Sequence, residues 1–383
     1  MKVHFIIPSN TEKGKREVLD KIFGCHYGYF PQHNIFTLGL TAVIKKMGYE
    51  VEMSDCAIEK ITLNDALERG GDVFIFYSVF LSREIDLWAA DQIKKKLGKK
   101  WMIFLGNDPV FFSDKYLISQ NHILIRGEPE ETIVDLLKEL EKNKPVFKKV
   151  KGISWVSRGK VIHNTPRKYI EDLDKLPLPD RMILKKPLEY SNARFSKFPS
   201  TTMYTSRGCA YNCLFCFPNS FSFARELEWK NVHKVKPPVR VRSSRSVIKE
   251  FEQIHKQGFR SVSIVDDQFL WDRRRTEEIF KGVKKLNMEI SILARCDRIT
   301  DYPLVKMMFD AGVRHIAFGV ESFNQSILNY IRKDLKVETI AKAIKWCKKA
   351  GIKPEINIIL GSCPLETKET IANTINEVEK LNV

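Results

Sequence analysis

The sequence predicts an α/β protein of two domains, a doubly wound parallel sheet followed by a partial (β/α) barrel. Three observations carry this reading. Short apolar runs alternate with amphipathic stretches along most of the chain, the pattern of repeated β/α units. The run DVFIFYSV (Asp72–Val79) is apolar without a break, as a parallel strand covered on both faces requires. The 383 residues exceed one ordinary domain, and 43% of them are hydrophobic, enough to fill two cores.

The first domain spans residues 1–145. Lys2–Pro8 reads as its first strand. A helix is expected over Thr37–Met47, stopped by Gly48, a residue suited to the left-handed turn that ends helices. Tyr49–Met53, Asp72–Val79, Trp101–Leu105 and His122–Arg126 supply further strands, with helices at Arg83–Leu97 and Glu130–Glu141. Rossmann-like sheets of this kind bind ligands at the carboxyl ends of their strands. Those ends fall at Pro8–Asn10, Tyr77–Val79, Gly106–Pro109 and Gly127–Pro129.

Residues 146–198 differ in character. Ile153–Val156 and Lys160–His163 flank Ser157–Gly159 as a hairpin, and DLDKLPLPDR (Asp172–Arg181) contains two prolines that forbid a regular helix. The segment reads as a hairpin and strap joining two domains. The second domain occupies residues 199–383. Its strands are expected at Thr201–Thr205, Ser261–Val265, Glu289–Ala294, His315–Gly319 and Pro354–Leu360. Helices fill the intervals at Ser246–Gln257, Arg274–Leu286, Pro303–Ala311, Val337–Ala350 and Glu366–Leu381. Five such units make a partial barrel whose chemistry belongs at the strands' carboxyl ends.

The formal net charge of +17 admits an acidic partner such as nucleic acid. Lysine runs on helix faces read first as solvated surface. The N-terminal apolar run is too short for a signal peptide, and no stretch reaches the roughly 18 apolar residues of a membrane span. A cytoplasmic, soluble protein is expected. Of the eight cysteines, Cys25, Cys56, Cys296, Cys347 and Cys363 stand alone and read as small inert side chains.

The other three form SRGCAYNCLFCFP (Ser206–Pro218), with Cys209, Cys213 and Cys216 spaced C-x3-C-x2-C directly after the second domain's first strand. Thiolates at these offsets on one tight loop can each bind a different iron of a 4Fe–4S cubane. A ferredoxin-type site uses four cysteines, and the next one here is Cys296. One iron is thereby left open to a small molecule. A zinc site would want a fourth ligand close by, and His233 is the local candidate. Phe215 precedes the last cysteine, where an aromatic ring can pack on an adenine.

This loop resembles the signature of the radical S-adenosylmethionine (SAM) superfamily. The resemblance implies that methionine's amino and carboxylate groups chelate the open iron. It implies that the reduced cluster then cleaves SAM to a 5′-deoxyadenosyl radical. Strand-end residues agree with it. Asp266 and Asp267 follow the second strand, Arg295 the third, Glu321 the fourth and Gly361 the fifth. By the resemblance, Phe215, Asp266, Asp267, Arg295, Glu321 and Gly361 seat SAM. An electron donor such as flavodoxin or ferredoxin is implied as a partner. The usual sixth strand and the C-terminal region that shapes a substrate pocket are absent, so a chain lacking its last part is expected.

The first domain resembles the cobalamin-binding domain of cobalamin-dependent radical enzymes. The matching stretches are FTLGLTAVIKKMGYEVEMSD (36–55), FLGNDPVFF (104–112) and RGEPEETIVDLL (126–137), with the strap DLDKLPLPDR. Cobalamin is implied at the strand ends, near Ser78, Gly106, Asn107, Gly127 and Glu128. The D-x-H-x-x-G motif that carries a cobalt-ligating histidine in other cobalamin proteins is absent. Methyl transfer to a substrate the sequence does not identify is the implied reaction. Alternatives are a radical cyclase or rearrangement enzyme, a tRNA methylthiotransferase, and a non-catalytic iron–sulfur carrier. The methylthiotransferase needs three further cysteines upstream, where only Cys25 and Cys56 stand.

Overall fold

A computed structural model describes residues 1–15, 31–216, 234 and 238–383. Cys25, His233, Phe217 and Pro218 lie outside the described residues. The chain forms two compact units, one built on Met1–Asn192 and the other on Ala193–Pro218 with Pro238–Val383.

The first unit is a seven-stranded sheet. Its strands are β1 (Lys2–Ile7), β2 (Glu50–Asp55), β3 (Val73–Tyr77), β4 (Trp101–Leu105), β5 (His122–Ile125), β6 (Ile153–Ser157) and β7 (Lys160–His163), in the order β2-β1-β3-β4-β5-β6-β7. The first five are parallel. All five residues of β3 are buried, because helices cover both faces of a doubly wound sheet. The strand order reverses between β1 and β3, which makes their carboxyl ends the switch point where such sheets bind ligands. The helix expected from Thr37 begins at Ile35, because Asn34 caps it by accepting from the Thr37 amide at 3.2 Å. This is the ordinary work of an N-cap side chain.

The hairpin forms as expected but is not a free connector. β6 pairs antiparallel with β5 and extends the sheet. The strap also packs onto this unit. The Asp180 amide donates to the Leu38 carbonyl at 3.1 Å, and the Ile170 amide donates to Glu128 at 2.6 Å. The Tyr190 hydroxyl donates to Asp55 at 2.7 Å. Residues 146–192 therefore belong to the first unit.

The second unit holds β8 (Ser200–Met203), β9 (Ser206–Arg207), β10 (Arg240–Val241), β11 (Ser261–Ile264), β12 (Glu289–Ala294), β13 (Val313–Glu321) and β14 (Lys353–Ile358). Five of them form an all-parallel sheet in the order β14-β13-β12-β11-β8, while β9 and β10 make a small antiparallel pair. The connecting helices include Ser244–Lys256, Arg273–Val283, Tyr302–Asp310, Val337–Ala350 and Lys368–Leu381. Side chains such as Phe251, Phe280, Ile292, Met308 and Phe318 fill the core between sheet and helices. Cys296 and Cys347 are buried in that core, as their isolated positions predict, while Cys56 is buried in the first unit. Among the described residues no helix is long and apolar enough to cross a membrane.

Two buried features yield tests. Arg242 and Glu250 form an ion pair with side chains only 5% and 0% exposed. Removing one partner of such a pair strands the other charge, so Glu250→Ala should destabilise the second unit by about 3–5 kcal/mol. Chemical denaturation followed by circular dichroism measures it; an unchanged midpoint refutes the account.

In β1, the His4 ring donates from Nδ1 to the Gly70 carbonyl at 2.7 Å, with Nε2 2.8 Å from the Ser54 hydroxyl. Burial lowers its pKa from 6.5 to about 4. The unfolded chain then binds the proton first as pH falls. The stability His4 contributes is complete above pH 6.5 and drains as pH drops toward 4. At about 1.4 kcal/mol per unit, the loss is about 3 kcal/mol by linkage. His4→Asn should flatten that part of the stability-versus-pH curve between pH 7 and 5.

Candidate active site

The cysteine loop leaves the sheet at the carboxyl end of β8 and is pinned along its length. Its root hangs on Asp266, which follows β11 and is buried. Asp266 accepts from the Thr205 amide and hydroxyl, each at 2.5 Å, and from the Ser206 amide at 3.1 Å. Burial pushes its carboxyl up from the usual carboxylate range, against the pull of those donors and of Arg275. Arg275 donates to the Thr205 carbonyl at 3.0 Å, and Arg242 donates to the Tyr204 carbonyl at 3.0 Å. Strand pairing with Arg240–Val241 holds Ser206–Arg207.

The middle of the loop is held through Tyr211. The Arg295 guanidinium lies 3.6 Å from its ring centroid, Trp271 stacks on it at 6.3 Å, and its hydroxyl accepts from Arg298 at 2.8 Å. Further along, the Leu214 amide donates to the Ile331 carbonyl at 2.9 Å. Phe215 packs against the core of the unit. Cys209 and Cys213 are half-buried and Cys216 is exposed at its rim.

The three thiols are close enough to act on one another. Protein packed around the Cys216 sulfur, followed by Cys209, Cys213 and Asp267, pushes its thiol up to about 12, while Lys333 opposes them. A bound metal reverses this by displacing the proton. Among the described residues no three His, Cys, Asp or Glu side chains gather closely enough to share one ion. Three sulfurs on one zinc would lie roughly 4 Å apart at ordinary Zn–S lengths. A cubane gives each thiolate its own iron and spreads them, and three thiolates on one short loop are a donor set of that kind.

The strand-end residues divide into two groups. Asp266 and Arg295 have their functional ends engaged by protein. Arg295 donates to the Lys333 carbonyl at 2.7 Å and the Asp334 carbonyl at 2.5 Å, and pairs with Asp297 at 2.9 Å. Both residues therefore shape the loop and its neighbouring turn. Asp267 is half-buried and acts on Cys216. Glu321 is buried at the end of β13 and accepts from Lys333 Nζ at 2.8 Å. Gly361 lies exposed beyond β14 with open space about its Cα.

Lys333 is the residue that sequence reasoning missed. It sits on the turn after the helix Gln325–Tyr330, 5.6 Å from the ring of Phe215. No motif marks it; only the fold brings it to the cysteines.

In the first unit, Ser78 is buried and donates to Asp86 at 2.7 Å, and Glu128 is engaged by the strap. Gly106, Asn107 and Gly127 remain. A Cβ on Gly106 would stand 2.2 Å from the Ser78 carbonyl oxygen, at a φ of +116°. Gly127 has a φ of +75° and open space around it. Asn107 Oδ1 is buried without a hydrogen-bond partner among the described residues. Gly106 and Asn107 follow β4 and Gly127 follows β5, one and two strands beyond the switch point, and the missing Cβ of Gly106 makes room for the Ser78 carbonyl.

The model of the Radical SAM superfamily matches residues 203–378. That stretch is a Radical SAM domain. The chain is 26% identical over 355 residues to an uncharacterised methyltransferase of Pyrococcus horikoshii, covering 90% of this chain and 73% of that one. Its fold is similar to that of OxsB, a cobalamin-dependent SAM radical enzyme solved with aqua-cobalamin and SAM bound. The TM-score is 0.78 at 20% identity, over 99% of this chain and 52% of that one. It is also similar to TsrM of Kitasatospora setae, a radical SAM methyltransferase solved with tryptophan and a SAM analogue. There the TM-score is 0.73 at 14% identity, over all of this chain and 71% of that one. The chain thus spans about three quarters of the Pyrococcus relative and about half of OxsB.

Gly319 gives a test. A Cβ on Gly319 of this radical SAM domain would meet Glu321 Oε1 at 2.7 Å and Lys333 Nζ at 2.8 Å. Gly319→Ala should push that pair apart and cost about 1–3 kcal/mol, the usual penalty of overpacking. Thermal unfolding of the two proteins measures it.

Proposed function

We propose that Cys209, Cys213 and Cys216 hold three irons of a 4Fe–4S cluster and leave the fourth to SAM. We propose further that the first unit binds cobalamin and that the reaction is methyl transfer. The observation that carries this reading is the cysteine loop itself. It offers three thiolates on one short loop, and it is fastened at its root, middle and end at the carboxyl side of a parallel sheet. When bound, the cluster and SAM supply one-electron cleavage of the sulfonium, and cobalamin supplies a methyl carrier.

The chain's own residues do the positioning. Asp266, Arg275 and Arg242 fix the loop root, and Tyr211 with Arg295 fixes its middle. Phe215 offers a ring beside the last cysteine for the adenine. Asp267 offers a carboxylate for methionine's amino group, and Glu321 one for the ribose side of SAM. Gly361 leaves room for close approach of the cofactor. In the first unit, Gly127, with open space around it, lets a corrin approach the backbone. A one-electron donor of flavodoxin or ferredoxin type completes the system. The methyltransferase relative, matched over 90% of this chain, supports methyl transfer over cyclisation.

Anaerobic reconstitution tests the whole reading. About four irons per chain are expected, against about eight for a two-cluster enzyme. The reduced protein should convert SAM to 5′-deoxyadenosine or pass its methyl group onward. A corrinoid band should persist through gel filtration. Cys213→Ala should abolish cluster and SAM turnover together; a variant that keeps both refutes the ligand assignment. Absence of retained corrinoid, with SAM cleavage intact, would remove the cobalamin part alone.

A further inference from the structure

We infer that the buried Glu321–Lys333 pair is an electrostatic device that sets the reduction potential of the cluster. Lys333 favours the reduced state, and Glu321 moderates it. The inference rests on the assignment of Cys209, Cys213 and Cys216 as cluster ligands.

The pair is enclosed. The Lys333 and Glu321 side chains are 8% and 7% exposed, and Nζ stands 2.8 Å from Oε1. The ammonium lies 5.6 Å from the ring of Phe215, the residue next to Cys216, and its charge acts on the Cys216 sulfur. Charges in a desolvated site act far more strongly than the same charges in water.

The backbone goes to some lengths to keep the pair there. Glu321 has a φ of +70°, and Arg332 and Asp334, on either side of Lys333, have +54° and +50°. Residues with side chains rarely adopt this region, and such strain gathers at functional sites. Gly319 leaves the space both charged ends occupy. The turn is tied to the cysteine loop directly by the Leu214 amide on the Ile331 carbonyl, and indirectly through Arg295, which lies on Tyr211 and donates to the Lys333 and Asp334 carbonyls. The loop and the ammonium therefore keep a fixed relation.

A buried ion pair is a poor way to stabilise a fold, since apolar replacements often do as well. Beside a cluster it has a second use. Reduction adds one electron, and with it one negative charge, to a centre whose potential depends on net charge and local hydrogen bonding. Lys333 stabilises that added charge and Glu321 opposes it. The two side chains must then move the potential in opposite directions, which a merely structural pair would not do.

The test is an EPR-monitored redox titration of the reconstituted full chain without SAM, with dithionite as the one-electron reductant. Lys333→Met should make the cluster harder to reduce and Glu321→Gln should make it easier. Each change is expected to reach at least tenfold in the one-electron equilibrium, about 59 mV. Lys333→Arg, which keeps the charge, should stay near the wild-type potential. Iron content and the EPR line shape report whether each variant still builds the cluster. If Lys333→Met does not fold, Glu321→Gln still fixes the sign. Potentials that do not move, or that move the same way in both variants, overturn the inference. A wild-type chain that forms no EPR-active cluster defeats the ligand assignment, and this inference with it.

Discussion

The cysteine loop depends on one buried carboxylate. Asp266 carries three hydrogen bonds from Thr205 and Ser206, in a place where a carboxylate without partners would cost several kcal/mol. Those bonds end β8 at Met203 and turn the chain outward. Local preference points the other way. Thr205 is β-branched, a residue type that favours strands, and the sequence pattern alone carries the strand on to it. A tertiary side-chain contact thus overrides propensity at the point where the functional loop begins. Arg275 and Arg242 then take up the carbonyls that the turn frees, so the polar groups of the loop root are paired rather than wetted.

The fold was legible because periodicity and apolar runs are local. The expected strands and helices occur within a few residues of their predicted bounds, and the misfits have named causes: the Asn34 cap at one helix start, Asp266 at one strand end. The hairpin was legible as a hairpin but not as the edge of the first sheet. Its pairing with β5 joins Ile123 to Trp155, a contact no local pattern announces.

The site was legible in a different proportion. The spacing of three cysteines announces their chemistry, because the ligands lie on one short loop. Asp266 and Arg295 were found by their strand-end positions, yet position alone does not say whether a side chain faces a cofactor or props up a loop. Here Arg295 lies across Tyr211 and ties down two carbonyls, which makes it part of the scaffold of the cysteine loop. Lys333 stands on a connection between helices, and nothing in its neighbours in sequence sets it apart from the many surface lysines. What sets it apart is burial beside Glu321, a tertiary fact.

The same reasoning bears on the net charge. A formal +17 suggests a surface made for an acidic partner, but a partner meets only the charges that reach solvent. Arg181, Arg207, Arg242, Arg275, Arg295 and Lys333 are all buried. Arg242 faces Glu250, Lys333 faces Glu321, and Arg275 and Arg295 serve backbone carbonyls. Guanidinium groups suit this work, since their planar donors satisfy several carbonyls at once. Arg181 apart, these cations are internal scaffolding of the second unit, concentrated around the cysteine loop. Among the described residues, however, buried carboxylates such as Asp55, Asp86, Asp108, Glu128 and Glu289 outnumber the buried cations. Attraction of a polyanion scales with accessible charge, so burial leaves the basic excess on the surface. The buried cations of the second unit gather where an iron–sulfur cluster with thiolate ligands would add negative charge.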